Sequence, residues 1–501
     1  MTDHSEAPTQ ASSAKRILQR FAHLLSAQGV EGIGSTVFFL YLAWVNSTLY
    51  GEVMYALAAG AIVWKIVQFG LYYPMVHELG DATNGKGAQI IRRVNIIKTV
   101  LLFLCLLFLT GLAIFRELSL RLTAPLLLVS LGFGLESLSE SFFADLRVRG
   151  LQKVEARIKM ASSVLSYGYG LATAALGLHP IVVGFFKLVS GLIRLVFGMA
   201  ASIRNYPSKL PVGPDWVATW RIFVASTVFA LVDILGIIYN KTNIFFLESR
   251  TGVEGVAVYS AAWNLVDPVS ILGSEQLLGW VIFPLLSALW WQNRAQVAPL
   301  VRRTAQWLMA LAFPVMFFLH AESRLLIGFI YPAEYKDAVW MVQYLVWTIL
   351  FSFEQNLFGY VMIVAGAQRV LLACAVCATV LNLAFNALLI EPFGLAGGCL
   401  VIVFTKLVMT ILTTGYCQLR FHFFRARDFV FLLALTGGAV ALFWLLEPLV
   451  TLHPAVALTM GLYGLLLWKL GIRFLGRPPK KTDTAGTIAE IETSSGSGSP
   501  A

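Results

Sequence analysis

The chain has 501 residues, of which 58% are hydrophobic and 13% charged, with a formal net charge of +10. Soluble domains carry about a quarter charged residues, and apolar runs of helix length recur here from end to end, which excludes a soluble enzyme, free or held by one anchor. The positive charge is spread over alternate loops and forms no basic domain, so nucleic acid is not an expected partner.

Met1–Ala14 is polar and is expected to be disordered, with no cleavable signal peptide expected there. Apolar spans then follow at 24–44, 51–76, 95–114, 123–143, 159–178, 180–200, 217–245, 255–285, 305–320, 339–365, 369–390, 395–417, 428–446 and 454–472. Lipid forces the backbone to satisfy its own hydrogen bonds, and these runs are continuous and Leu-rich, so helices are expected and a barrel is not. The expectation is an all-α polytopic membrane protein with about 14 transmembrane helices. The seventh helix is expected to reach about Leu247, which draws Lys241 and Asn243 toward the membrane. Asp267-Pro268 lies mid-span in the eighth, where proline removes a backbone hydrogen bond and invites a kink.

The cations sort by side. Loops at 15–20, 86–98, 147–159, 204–221, 294–303, 369, 420–427 and 469–481 hold twenty-seven of the 37 Lys and Arg residues. The intervening loops hold six: Arg116, Arg121, Lys241, Arg250, Arg324 and Lys336. Four remain inside spans: Lys65, Lys187, Arg194 and Lys406. By the positive-inside rule both termini are cytoplasmic, and Trp216, Trp220, Trp290 and Trp291 fall where an aromatic belt is expected. The outer loops are short, the longest at about 321–338, which leaves no room for a folded extracytoplasmic domain. The tail after Pro478 is rich in Ser, Gly and Thr and is expected to be disordered.

An internal repeat underlies this map. Gly150-Leu151-Gln152-Lys153-Val154 recurs as Gly366-Ala367-Gln368-Arg369-Val370, each before an apolar helix. Gly51-x-x-x-Tyr55-Ala56 recurs more weakly as Gly255-x-x-x-Tyr259-Ser260. The first six helices therefore align with the next six in the same orientation, an architecture common in transporters. The domain reading is a disordered N-terminus at 1–14, two six-helix lobes at 15–205 and 206–420, two extra transmembrane helices at 421–475, and a disordered cytoplasmic tail at 476–501.

Four stretches resemble the multidrug/oligosaccharidyl-lipid/polysaccharide (MOP) exporter superfamily, most closely its Wzx-like polysaccharide flippase branch. They are Leu49-Tyr50-Gly51 with Phe69-Gly70-Leu71; Val256 to Ala262; Gly366 to Arg369; and Asn382-x-x-x-Asn386 with Pro392-Phe393-Gly394-Leu395-Ala396-Gly397-Gly398. The resemblance implies two six-helix lobes around a central cavity and export of lipid-linked sugars from the cytoplasmic to the outer leaflet of a bacterial inner membrane. Many relatives carry an Asp late in the seventh helix, where this chain has Asn240-Lys241-Thr242-Asn243, so acid-dependent coupling is not implied at that point.

Such a flippase must carry a glycan and a diphosphate through an apolar slab, and diphosphate needs cations in a wet cavity. A cation buried in a span costs roughly 2.5–3.5 kcal/mol even on lenient scales, so it is rarely idle. Lys65, Lys187, Arg194, Lys241 and Lys406 are the substrate-cavity candidates, with Arg194 binding as a fork and the lysines as point charges. Pairing with intramembrane acids is the alternative for each, as is snorkelling for Arg194. Glu31, Asp233 and Asp267 are candidates for gating or coupling, and a Glu31–Lys65 pair fits their similar depths. Glu136 and Glu140, one turn apart, read as a cation site or as helix packing.

No cofactor and no metal site is expected. Cys374-x-x-Cys377 lies on an apolar helix without further ligands. Gly80-x-x-x-x-Gly85-Lys86 lacks the Ser or Thr of a phosphate loop, and His77-Glu78 lacks a zinc helix's second histidine. Besides a flippase whose partners are lipid-linked glycan, membrane lipid and other polysaccharide-assembly proteins, two readings stay open. One is a cation-coupled drug or metabolite exporter of the same superfamily; the other is a membrane glycosyltransferase or polymerase, against which the short outer loops argue.

Overall fold

The computed structural model describes residues 10–80, 86–204, 206, 216–423 and 426–471. Most of both expected disordered ends, and Gly85 of the phosphate-loop mimic, lie outside the described residues. The first helix nevertheless begins at Gln10, inside the stretch expected to be disordered. The described chain divides into two compact units, Met1–Ala257 and Val258–Ala501.

The helices of the first unit are α1 (Gln10–Val45), α2 (Ser47–Gln68), α3 (Tyr72–Gly80), α4 (Lys86–Phe115), α5 (Leu120–Val148), α6 (Gln152–Ala175), α7 (Pro180–Ile203) and the start of α8 (Trp216–Ile271). Their ends follow local chemistry. Asn46 caps α2 by accepting from the Leu49 N–H at 2.9 Å. Pro180 opens α7 at the first turn, where its missing N–H costs nothing. α5 lies centrally, against α2, α4 and α7, while α1 packs on α6. The α5–α7 crossing is close because it is built on glycine: a Cβ on Gly132 would stand 2.5 Å from the Lys187 carbonyl carbon, and one on Gly191 2.5 Å from the Gly132 oxygen. Close approach through small residues is a common way to pack helices in lipid, where burying apolar surface gives little drive.

The second unit contains the rest of α8, a π-helical stretch Leu272–Ile282, α9 (Phe283–Gln292), α10 (Arg294–Ala321), α11 (Ser323–Ile330), α12 (Ala338–Leu345), α13 (Trp347–Val364), α14 (Gln368–Phe393), α15 (Leu395–Phe421), α16 (Ala426–Val450) and α17 (Leu452–Leu466). α16 and α17, the two helices beyond the repeat, pair with each other and sit on α10. The Tyr463 hydroxyl donates to the Ala310 carbonyl at 3.1 Å, and Phe317 meets Phe443 edge-to-face at 5.1 Å. His453 Nδ1 lies 2.7 Å from the buried Glu322 carboxylate, tying the start of α17 to the α10–α11 corner.

The repeat is physical. Gly150 and Gly366 both take left-handed backbone, φ 78° and 76°, between consecutive helices. Gln152 Nε2 then donates back to the Arg147 carbonyl, and Gln368 Nε2 to the Ile363 carbonyl, each at 3.1 Å. The Gly-x-Gln motif is thus one turn made twice: glycine supplies the positive φ, and glutamine covers a carbonyl left open at the helix end.

Three expectations change. The outer loop expected between the seventh and eighth spans is absent, because α8 is interrupted only at Gly252 (φ 71°, ψ −178°). A single glycine makes the break that the largely polar stretch from Glu248 to Glu254 suggested. The 321–338 stretch is not bare loop: it carries α11 and a 3₁₀ turn at Ala333–Tyr335. Further, α4 begins at Lys86, so Arg92 and Arg93 are helical and not loop residues. Among the described residues eight helices are long and apolar enough to cross a membrane. The expected fourteen spans also count shorter or more polar helices, such as α13 with its Glu354-Gln355-Asn356 run.

Candidate functional site

The intramembrane cations of the first unit fall into two groups. Lys187 and Arg194 project from α7 toward Glu136 on α5. Lys187 Nζ is 2.8 Å from Glu136 Oε2 and 4.1 Å from the Phe133 ring centroid. Ser190 donates to Glu136 Oε1 at 2.6 Å, and Arg194 Nη1 lies 3.7 Å from the same oxygen. Arg194 also reaches Glu31 on α1 at 2.9 Å, and Ser162 and Ser163 on α6 at 2.9 and 3.3 Å. Both cationic side chains are 8% exposed. Two acids and two cations thus form a neutral cluster, buried except at the partly exposed Glu31, that joins α1, α5, α6 and α7.

A second cluster lies one turn along α5. Glu140 receives Lys159 Nζ at 2.6 Å and Arg147 Nη2 at 2.9 Å, and the fully buried Glu155 binds the same two cations. It too is neutral. Lys98 is buried nearby, donating to the Ser137 carbonyl at 2.6 Å and to Gln68 Oε1 at 3.0 Å. These neutral partners replace the water its ammonium gave up.

Lys65 stands apart. Its Nζ lies 3.4 Å from Asp233 Oδ2, a loose contact, and the two side chains are 31% and 56% exposed. The ammonium lies 5.5 Å from the Trp64 ring centroid. It is the open, accessible cation of the four that the charge map left inside spans.

In the second unit, Lys406 on α15 is buried, donates to Ser352 Oγ at 2.7 Å and lies 5.1 Å from the Trp263 ring centroid. The offset relating Gly150 to Gly366 also relates Glu136 to Ser352 and Ser190 to Lys406. The repeated α5–α7 and α13–α15 crossings thus share one polar contact with its charge moved across: serine donates to glutamate in one, lysine donates to serine in the other. Two residues along α13, Glu354 is 4% exposed, and both its oxygens lack a hydrogen-bond partner among the described residues. Lys241 and Asp267 are half-buried on α8. Among the described residues no group of three His, Cys, Asp or Glu side chains gathers as a metal site, and Cys374 and Cys377 are free thiols.

The model of one family, described as "Polysaccharide biosynthesis protein", matches residues 45–340. The chain belongs to this family. No curated protein matches it in sequence. Among solved structures it is similar to one titled as the lipid II flippase MurJ in an inward closed conformation, at 11% identity and a TM-score of 0.63, covering 92% of this chain and 100% of that one. It is also similar to an inward-facing multidrug resistance MATE transporter of the MOP superfamily, at 14% identity and a TM-score of 0.55, over 78% of this chain and 94% of that one. A third likeness is to a MOP superfamily transporter from Pyrococcus furiosus, at 16% identity and a TM-score of 0.52, over 82% and 95%. This polysaccharide biosynthesis protein, helical throughout its described regular elements, therefore shares the fold of these structures, which are a flippase and transporters, not enzymes.

Sequence reasoning mis-paired one acid of this family member. Glu31 meets Arg194 and Lys65 meets Asp233, so the expected Glu31–Lys65 pair is not made. Similar depth along two helices does not fix which way a side chain faces. Glu136 and Glu140 share no ion; each is taken by its own pair of cations. Sequence reasoning also passed over Lys98, Arg147 and Lys159, which the charge map counted with the cytoplasmic cations, and Glu155, which it did not weigh. A signal was present: Glu155 and Lys159 stand four apart, the spacing of a helical ion pair.

Proposed function

We propose that this protein is a flippase that moves polyprenyl-diphosphate-linked oligosaccharide from the cytoplasmic to the outer leaflet of a bacterial inner membrane, by alternating access, for surface polysaccharide assembly. The observation that carries the reading is a polysaccharide-biosynthesis family match on a chain with a transporter fold. The glycan and diphosphate are the part of such a substrate that cannot cross lipid unaided, while the polyprenyl tail can stay in it. Both termini are cytoplasmic in this reading, as the sorted cations require.

Lys65 is the residue we assign to the diphosphate. It is an accessible cation on a membrane-spanning helix, and Asp233 holds it loosely enough to be exchanged for a phosphate oxygen. Lys241 and Lys406 are further candidates for the polar part of the substrate. Lys187 and Arg194 are already neutralised by Glu136 and Glu31, which supports a role in joining helices. Asp267 and Asp233 remain the candidates for gating.

Cells depleted of the protein should accumulate lipid-linked glycan with its sugar facing the cytoplasm, and restoring the wild-type chain should clear it. Restoration by Lys65→Ala should be weaker by about ten-fold to a hundred-fold in initial rate, the worth of one charge-assisted hydrogen bond. Full restoration by that variant would remove Lys65 from the substrate path. A depleted cell with its glycan lipid distributed as in wild type would overturn the flippase reading itself.

A further inference from the structure

One cavity in the first unit is unused by the reading above. It has a volume of about 780 Å³ and opens between the first turns of α4, the end of α5 and the last turn of α7. The charge map places these ends on the cytoplasmic side, the orientation on which the inference rests. Arg92 and Arg204 line it and are both exposed. Asn95 also lines it, and its Oδ1 is buried with no hydrogen-bond partner among the described residues. One wall is fixed in place. The Tyr206 hydroxyl donates to Asp145 Oδ1 at 2.6 Å, Ser202 donates to Asp145 Oδ2 at 2.7 Å, and Arg149 stacks 4.4 Å from the Tyr206 ring centroid. Burial, reinforced by the bond to Asp145, pushes the Tyr206 hydroxyl up to about 12, so it stays protonated and keeps donating at neutral pH. Gly87 allows this wall to close on α4, since a Cβ there would stand 2.5 Å from the Tyr206 hydroxyl.

The cavity is polar at one end only. Val100, which lines it, is 53% exposed, and Phe103, Leu104 and Leu107 continue the exposed apolar face up α4 at 51–66%. Two arginines and an orphaned acceptor at the membrane surface, continuous with a lipid-facing apolar track, match one kind of molecule. It has an anionic phosphodiester head, a hydroxyl to donate, and acyl chains. A free phosphate would leave the track unused, and a zwitterionic lipid would put its own cation against the arginines. Basic pockets between helices on the cytoplasmic side are suited to anionic headgroups.

We propose that this cavity is a specific binding site for an anionic glycerophospholipid of the cytoplasmic leaflet. Arg92 and Arg204 hold its phosphate, and Asn95 accepts from a headgroup hydroxyl. The α4 face carries its acyl chains.

Native mass spectrometry of the full chain in detergent tests this, with dioleoylphosphatidylglycerol as the probe. Dioleoylphosphatidylcholine, polyprenyl phosphate and inorganic phosphate serve as comparison arms. The expected result is one saturable phosphatidylglycerol site that the comparison arms neither fill nor empty at equal concentration. The site should weaken about thirty-fold in Arg92→Ala/Arg204→Ala, at about ten-fold or less per arginine near a membrane surface. It should also be lost in Val100→Trp, which keeps both arginines and fills the track. Raising salt on the wild-type chain gives the same reading without a substitution, since binding should fall. Equal retention of phosphatidylcholine, competition by inorganic phosphate alone, preference for polyprenyl phosphate, or unchanged binding in the double variant each overturns the proposal. Failure here leaves the flippase reading untouched, because glycan transfer is measured separately.

Discussion

Replacing Glu136 by glutamine tests whether the Lys187–Arg194 cluster is framework. The native cluster holds Glu31, Glu136, Lys187 and Arg194 and carries no net charge; the substitution leaves one uncompensated buried cation. At the 2.8 Å separation of Lys187 and Glu136, an effective dielectric of about 20 gives an attraction of about 6 kcal/mol. Part of that is offset by the cost of having dehydrated both ions, so losing one partner is expected to cost about 3–5 kcal/mol. The Ser190 hydroxyl loses its charged acceptor as well. For a unit of this size the thermal midpoint should fall by roughly 6–20 °C, read by thermal unfolding of purified protein in detergent. Glu136→Gln/Lys187→Met restores neutrality and should recover most of that loss, with transport near wild type. Two results would refute the reasoning: a Glu136→Gln protein as stable as wild type, or a neutralised double variant that is stable yet cannot transport. The second would return Lys187 to the substrate path.

The repeated turns allow a matched pair of tests. Gly150→Ala and Gly366→Ala each force a side chain into left-handed backbone and should destabilise by about 1–2 kcal/mol, equally in both units by hydrogen exchange at the two junctions. A Cβ at Gly132 meets the α7 backbone, so Gly132→Ala should cost about 1–3 kcal/mol as overpacking, measured by thermal unfolding, whereas Gly111→Ala, with open space around it, should be neutral or better. Glu322→Gln removes the carboxylate that His453 approaches at 2.7 Å; faster proteolysis between α16 and α17, with the remaining helices intact, is the expected outcome.

Much of this was legible in the sequence. Composition and run length fixed the class, and the Gly-x-Gln motif marked the repeat because one turn geometry needs those two residues. The four cations inside the spans were visible because lipid makes each one costly. Other features depend on direction around a helix, or on where a helix starts. Lys98 was counted with Arg92 and Arg93 among the cytoplasmic cations, yet α4 had already begun at Lys86 and Lys98 turns inward. Glu31 and Lys65 were expected at matching depths but face different neighbours. At Gly252 the polar run from Glu248 to Glu254 looked like a loop, but its residues are tolerated in a helix on either side of one glycine. Ser352, an unremarkable residue in sequence, proved to be the repeat partner of Glu136 and the acceptor for Lys406.

The central claim is translocation of a lipid-linked glycan, and reconstitution tests it most directly. Purified protein would be placed in liposomes with polyprenyl-diphosphate-linked oligosaccharide on one leaflet, and appearance of the sugar on the other leaflet followed with a glycosidase that cannot cross the bilayer. Protein-dependent transfer, slowed about ten-fold or more by Lys65→Ala, is the predicted result. Liposomes that keep their glycan lipid on the original leaflet, while the same protein drives efflux of small organic cations on a proton or sodium gradient, would contradict the account.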